Sequence, residues 1–338
     1  MPKPNRSIYK SQSSFRLVLI VWITLLFIPT NTLLTVKADD KSATGSENSN
    51  STFSSPVNLG PIVNSSVEDS GPCISADGLS LYFQSRRPGG LGENDIWVTT
   101  RKTKKAPWTI PINLGSPFNT TSSDQNPQLS ADGLEMYFTS DRPGGSGELD
   151  IFVAKRKAKD DPWGQPVNLG PKVNSAMAEI DPSISADGLT LYFSDTIWRR
   201  PRPGGMGGPD IWMTTRESKD APWGPAVNVG QPINTPGMDV APSISTDGLT
   251  LYFASNRGRG KNDQPDLWMT TRKSTDAPWG LPVNLGPAVN NPSAGEWGPN
   301  ICSDGSTLYF VSTNSVSGPG HGKADLWQTS LKGNRPRE

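Results

Sequence analysis

Five acidic residues recur at one place in this chain. Asp69, Asp124, Glu179, Asp239 and Glu296 each stand three residues before a proline. In four copies an arginine follows in the next loop, as Arg87, Arg142, Arg202 and Arg257. Carboxylates gathered in a ring could form a collar for a cation, calcium or magnesium, or for a polar ligand. The competing role is structural: each carboxylate pairs with the arginine of its own copy or caps loop N–H groups. A feature repeated five times favours the structural role. A second acidic series, Asp95, Asp150, Asp210, Asp266 and Asp325, reads as turn formers ahead of a strand.

Departures from the repeat give a second candidate site. The fifth copy replaces the arginine loop with a segment running from Ser312 to His321, so Glu296 lacks the arginine of its equivalents. Trp297 stands beside it, where no other copy has an aromatic residue. The third copy carries extra residues around Trp198. An unpaired carboxylate with Trp198, an exposed Trp297 and His321 on one face would make a pocket. Loop insertion and drift are the bland alternative. A glycosidase or lyase would need paired carboxylates at working distance. Catalysis is otherwise disfavoured, because there is no Gly-x-Ser-x-Gly, one histidine and no Cys–His pair.

These residues are positioned by a longer phrase. Ser-Ala-Asp-Gly-Leu-Thr-Leu-Tyr-Phe at 185–193 recurs five times, its Asp-Gly pairs beginning at Asp77, Asp132, Asp187, Asp247 and Asp304. Spacings of 55 to 60 residues mark one supersecondary unit copied five times. Within 166–223 the pattern predicts four strands: Val-Asn-Leu-Gly, then Pro182–Ser185, then Leu189–Ser194 after a two-residue Asp187-Gly188 hairpin, then Asp210–Thr215. Trp97, Phe152, Trp212, Trp268 and Trp327 share one place on the fourth strand and read as core between blades. The first copy begins with Pro56-Val-Asn-Leu-Gly60, and no such strand follows the last copy. The N-terminal strand therefore completes the last blade, which removes a sheet edge. The expected fold is all-β: one five-bladed propeller of four-stranded blades over 53–331, with a tail at 332–338.

The pattern Pro-x-Ile-Ser-x-Asp-Gly-x-x-Leu-Tyr-Phe, followed by Arg-Pro-Gly-Gly-x-Gly-x-x-Asp-Ile-Trp, resembles the WD40-like repeat of TolB-type bacterial β-propellers. The resemblance spans nearly all of 56–330. It implies an extracytoplasmic propeller and no single activity, because members include binding modules and parts of enzymes. TolB carries a further N-terminal domain that has no counterpart here, so its partners are not carried over.

Composition narrows the function. The 338 residues carry balanced formal charge, which leaves no electrostatic footprint for nucleic acid. Basic residues before an apolar run from Leu17 to Ile28 read as a signal peptide over 1–38, with a polar leader at 39–52. An uncleaved anchor, and with it a membrane association, is the rival. Export to the periplasm or beyond follows from either. Cys73 and Cys302 stand on copies that ring closure makes neighbours; two buried free thiols are favoured over a disulfide. The leading function is a non-catalytic platform that binds a protein or ligand of the cell envelope on its loop-rich face. A lectin-like glycan module is the first alternative, and a monomer is expected.

Overall fold

Short runs of alternating apolar and polar residues, each ended by glycine, proline or Asp-Gly, cannot form long helices and instead give a meander of short strands. The computed structural model describes residues 52–196, 200–258, 264–313 and 323–332. The proposed signal peptide and leader up to residue 51, Trp198 and His321 lie outside them.

The chain enters through β1 (Val57–Asn58). Blade one is β2 (Asp69–Ile74), β3 (Ser80–Ser85), β4 (Asp95–Thr100) and β5 (Ile112–Asn113). Blade two is β6 (Asp124–Leu129), β7 (Glu135–Ser140), β8 (Asp150–Lys155) and β9 (Val167–Asn168). Blade three is β10 (Glu179–Ile184), β11 (Thr190–Asp195), β12 (Ile211–Thr215) and β13 (Val227–Asn228). Blade four is β14 (Asp239–Ile244), β15 (Thr250–Ser255), β16 (Asp266–Thr271) and β17 (Val283–Asn284). Blade five is β18 (Glu296–Ile301), β19 (Thr307–Ser312), β20 (Asp325–Ser330) and, as its outer strand, β1. All five sheets are antiparallel, and the first strand of each blade touches its counterparts in both neighbouring blades. The result is the five-bladed ring expected from the repeat.

Closure follows the predicted register. Val57 pairs with Gln328 and Asn58 with Trp327. Asn58 Nδ2 donates to Asp325 at 2.9 Å, while its Oδ1 accepts from Gly60 N–H and from Asn64 Nδ2. Asn64 in turn bonds both backbone groups of Leu326. The same two-asparagine clamp recurs in every blade, as with Asn113 and Asn119 on Asp95 and Ile96. That is why Val-Asn-Leu-Gly recurs: a strand of two residues makes few ladder bonds, and side-chain amides supply the rest.

Apolar side chains fill the five inter-blade seams. Cys73 and Ile96 of blade one pack with Phe118, Phe138 and Phe152 of blade two, and each later seam repeats this. The aromatic of the fourth strand belongs to a seam in all five blades, with Trp327 only 1% exposed. Burying one such ring contributes roughly 1.5–3 kcal/mol. Close approach of blade to blade also fixes a glycine: a Cβ on Gly147 would stand 2.1 Å from the Met177 carbonyl oxygen of the next blade.

Two expectations require correction. The Asp-Gly connection is not a two-residue turn. Ser75 N–H bonds Ser80 O across a four-residue loop, in which Gly78 alone takes positive φ (73°). Asp77 instead accepts the Ser75 hydroxyl at 2.6 Å and Leu79 N–H at 2.9 Å, a local side-chain turn. The innermost strand begins three residues earlier than predicted, at Glu179 rather than Pro182. Its proline sits at a bulge on an edge that faces the axis, where the ladder needs no N–H. The cysteines are as the sequence favoured: both thiols are free and buried, and they point in directions that do not allow a disulfide. Cys302 packs into the seam between blades five and one, Cys73 into that between one and two. Equal parity on equivalent strands turns both in the same rotational sense, so neither faces the other.

Deleting residues 53–60 leaves β20 as a bare edge without its asparagine clamp. The truncated protein is expected to aggregate or to unfold well below the full chain, as read by size-exclusion chromatography and thermal unfolding.

Candidate functional site

The acidic residue at the start of each innermost strand points away from the axis. Asp69, Asp124, Glu179, Asp239 and Glu296 are all fully buried. Arg87 meets Asp69 at 2.6 Å, Arg142 meets Asp124 at 2.7 Å and Arg257 meets Asp239 at 2.7 Å. Each guanidinium lies over the aromatic rings of its own blade; the Arg87 carbon is 4.9 Å from the Phe83 centroid and 5.3 Å from that of Trp97. Backbone carbonyls take further guanidinium N–H groups, as Val63 O does from Arg87. The second carboxylate oxygen accepts a neighbouring N–H and hydroxyl, as Asp124 does from Thr120. The five carboxylates are therefore spent on anchoring the strand, four of them in buried arginine pairs, which is the structural role that recurrence favoured over the candidate collar. Among the described residues no three His, Cys, Asp or Glu side chains converge to hold a metal ion.

Glu296 also departs from expectation. Although its copy has no arginine at the usual place, it accepts the Ser312 hydroxyl at 3.1 Å and Asn291 N–H at 3.3 Å, so it is not unpaired. The second acidic series behaves as turn formers: Asp95 accepts Leu91 N–H at 2.5 Å and Gly92 N–H at 3.1 Å.

With the first residue anchored outward, the next two face the axis. Ser70 and Gly71, Gln125 and Asn126, Ile180 and Asp181, Val240 and Ala241, and Trp297 and Gly298 together wall a cavity of about 390 Å³. Gln84, Gln264 and Thr313 add polar groups to its wall, and Glu68 and Lys323 add charges. Trp297 is half-buried in the wall rather than exposed. Below, the passage narrows to about 30 Å³ where the five prolines Pro72, Pro127, Pro182, Pro242 and Pro299 meet. Of the predicted pocket residues, the structure brings Trp297 to this cavity.

Asp181 is the residue that the sequence reading missed. It stands at the third place of its strand, where the other copies have Gly71, Asn126, Ala241 and Gly298. That backbone place is left-handed in every blade, with φ of 50° at Asn126, 52° at Asp181 and 53° at Ala241. A non-glycine residue there is unfavourable by roughly 1–2 kcal/mol, and Asn and Asp tolerate it best. Asp181 Oδ1 accepts Asn126 Nδ2 at 2.6 Å and Oδ2 accepts the Ser194 hydroxyl at 3.2 Å. Burial pushes its carboxyl up to about 6, against the opposing pull of Ser194. The available signal was internal: the five copies agree at the anchor and disagree at the two residues after it.

Blade three has the longest of the four arginine pairs. Arg202 reaches Glu179 only at 3.4 Å, and Asp195 occupies the place of the serine found in the other blades. Burial pushes Glu179 up to about 7 and Asp195 up to about 6.

Comparison with known proteins places the fold and leaves the activity open. No protein-family model matches the sequence, and no curated protein matches it. Among solved structures, the chain is similar to an arabinanase from Bacillus subtilis at 16% identity and TM-score 0.52, covering 81% of this chain and 97% of that one. A family-43 glycoside hydrolase endo-arabinanase from Bacillus licheniformis gives 16% identity and TM-score 0.51, over 79% and 96%. A putative TolB from Agrobacterium tumefaciens gives 14% and 0.45, over 78% and 91%. At these identities the likeness to the two arabinanases shows a shared fold and no more.

Two outcomes test the anchors. Arg142→Met strands a buried carboxylate and is expected to cost about 3–5 kcal/mol in denaturant unfolding, with part of the loss regained in Arg142→Met/Asp124→Asn. Glu179, raised in the folded state, contributes stability that is complete below its unfolded value near 4.5 and is lost as pH rises to about 7. Glu179→Gln is expected to flatten the pH–stability curve between about pH 4.5 and 7 and to raise stability at pH 7, on the order of 2–3 kcal/mol.

Proposed function

We propose that this chain is an exported binding propeller that holds a small hydroxylated ligand, a glycan unit of the cell envelope, in its axial cavity. One observation carries the reading. The five copies are alike in the acidic anchor and differ at the ten positions that wall the cavity, where only Gly71 and Gly298 match, and such an uneven wall suits an asymmetric ligand. The volume falls in the range of small-molecule sites, roughly 300–1,000 Å³. Trp297 offers an aromatic face, and Gln84, Gln125 and Gln264 offer amides that both donate and accept. The basic and apolar N-terminal segment supports export. Solvent-exposed apolar residues such as Val57, Ile112 and Val167 sit singly on the outer strands, one per blade, and do not form a comparable site.

Glycoside hydrolysis is the second reading, favoured by Glu68 and Asp181 sharing the cavity. Asp181, held protonated up to about pH 6, has the character of a general acid, with Glu68 as the second carboxylate. Release of reducing ends from arabinan or an aryl glycoside, lost in both Asp181→Asn and Glu68→Gln, would replace binding by catalysis.

A glycan array probed with the folded chain tests the first reading. Trp297→Ala is expected to weaken the recognised glycan at least tenfold without lowering the melting temperature by more than a few degrees. Unchanged binding in Trp297→Ala would move the site off the axis.

A further inference from the structure

The floor of the axial cavity holds one carboxylate, that of Asp181. In blades one to four the anchoring acid has its arginine, and the Asp132 and Glu135 carboxylates on the opposite face meet Lys219 and Arg216. Among the described residues no lysine or arginine forms an ion pair with Asp181. Its two hydrogen bonds come from an amide and a hydroxyl, one on each oxygen, which leaves lone pairs on both for a further donor. Its neighbours at the same level, Gly71, Ala241 and Gly298, have little or no side chain, so one side of the floor is polar and the other bare. Trp297 supplies an aromatic face in the same cavity.

We infer that the ligand of the axial cavity carries a protonated amine that pairs with Asp181, making it an amino sugar or a hydroxylated amine of that size. The inference rests on the axial cavity being the binding site. An ammonium brings Asp181 a counter-charge at hydrogen-bond distance and three donors for its open lone pairs. The Trp297 face attracts the same charge. Glutamine amides around the wall suit the hydroxyl groups of a sugar ring. An inorganic cation fits less well, because a divalent ion takes six or more oxygen ligands and Asp181 faces the axis as the only carboxylate of its ring.

Proton linkage follows. Asp181 must be ionised to pair with the amine, and burial makes it take up a proton below about pH 6. The groups around it are Asn126 from β6, Ser194 from β11, Gln84 from β3 and Trp297 from β18, with Glu68 and the solvent-exposed Lys323 as the charged members of the wall. Affinity for the amine is expected to fall about tenfold per pH unit below that point.

Isothermal titration of the full chain with glucosamine and with glucose separates the possibilities. The two sugars differ by an amine in place of one hydroxyl. Glucosamine is expected to bind at least tenfold more tightly at pH 7, to weaken towards pH 5, and to lose its advantage in Asp181→Asn. Asparagine fills the equivalent place in blade two, so that variant keeps the left-handed backbone. Glucose bound as tightly as glucosamine, with both lost in Trp297→Ala, would overturn the amine while leaving the cavity as the site. Absence of binding by either sugar, or binding indifferent to both substitutions, would overturn both. Calcium stabilisation abolished by Asp181→Asn would reassign the carboxylate to an inorganic cation.

Discussion

The buried carboxylate at the first residue of each innermost strand is the constraint on which the rest depends. A charged oxygen pair fully removed from water is tolerable only with matching donors, and a guanidinium stacked on two aromatic rings provides them in four blades. Anchoring that residue outward fixes the phase of the strand. Alternation and the bulge before the proline then turn the second and third residues towards the axis, in every blade alike. Five copies of one anchor thus present ten positions on a common wall, and those ten are free to differ.

The repeat made the architecture legible before any contact was known. Five Asp-Gly phrases, five aromatic positions and a lone leading Val-Asn-Leu-Gly suffice for a closed five-bladed ring, and Val57 and Asn58 pair with β20 as that logic requires. The carboxylates that recur five times and group with arginines proved to be the anchor, the role that recurrence favoured over a collar. The proposed site lies in what does not recur, at Trp297 and at Asp181. Trp297 was visible as the one aromatic at its place. Asp181 was not, since an aspartate before a proline looks like a turn, and only the left-handed bulge shows that its side chain faces the axis.

Propellers with one chassis can carry unrelated activities when the anchor and the wall are separate sets of residues. The ring tolerates any side chain on the wall that a left-handed backbone and its neighbours admit, so binding and hydrolysis are both within reach of the same frame. What distinguishes them here is chemistry at the axis: a carboxylate without a cation, an aromatic face and a set of amides. Blade three, with the longest of the four arginine pairs at Glu179 and an aspartate at 195, is also the one that carries Asp181. Carboxyl groups that burial pushes up, Glu179, Asp181 and Asp195, thus gather in the blade that holds the proposed contact.

A crystal structure of the protein grown with glucosamine tests the central claim most directly. The account predicts electron density for the sugar in the axial cavity, its amine within hydrogen-bond distance of Asp181 and its ring against Trp297. An empty cavity with the sugar bound on the opposite face or at the outer strands would contradict it.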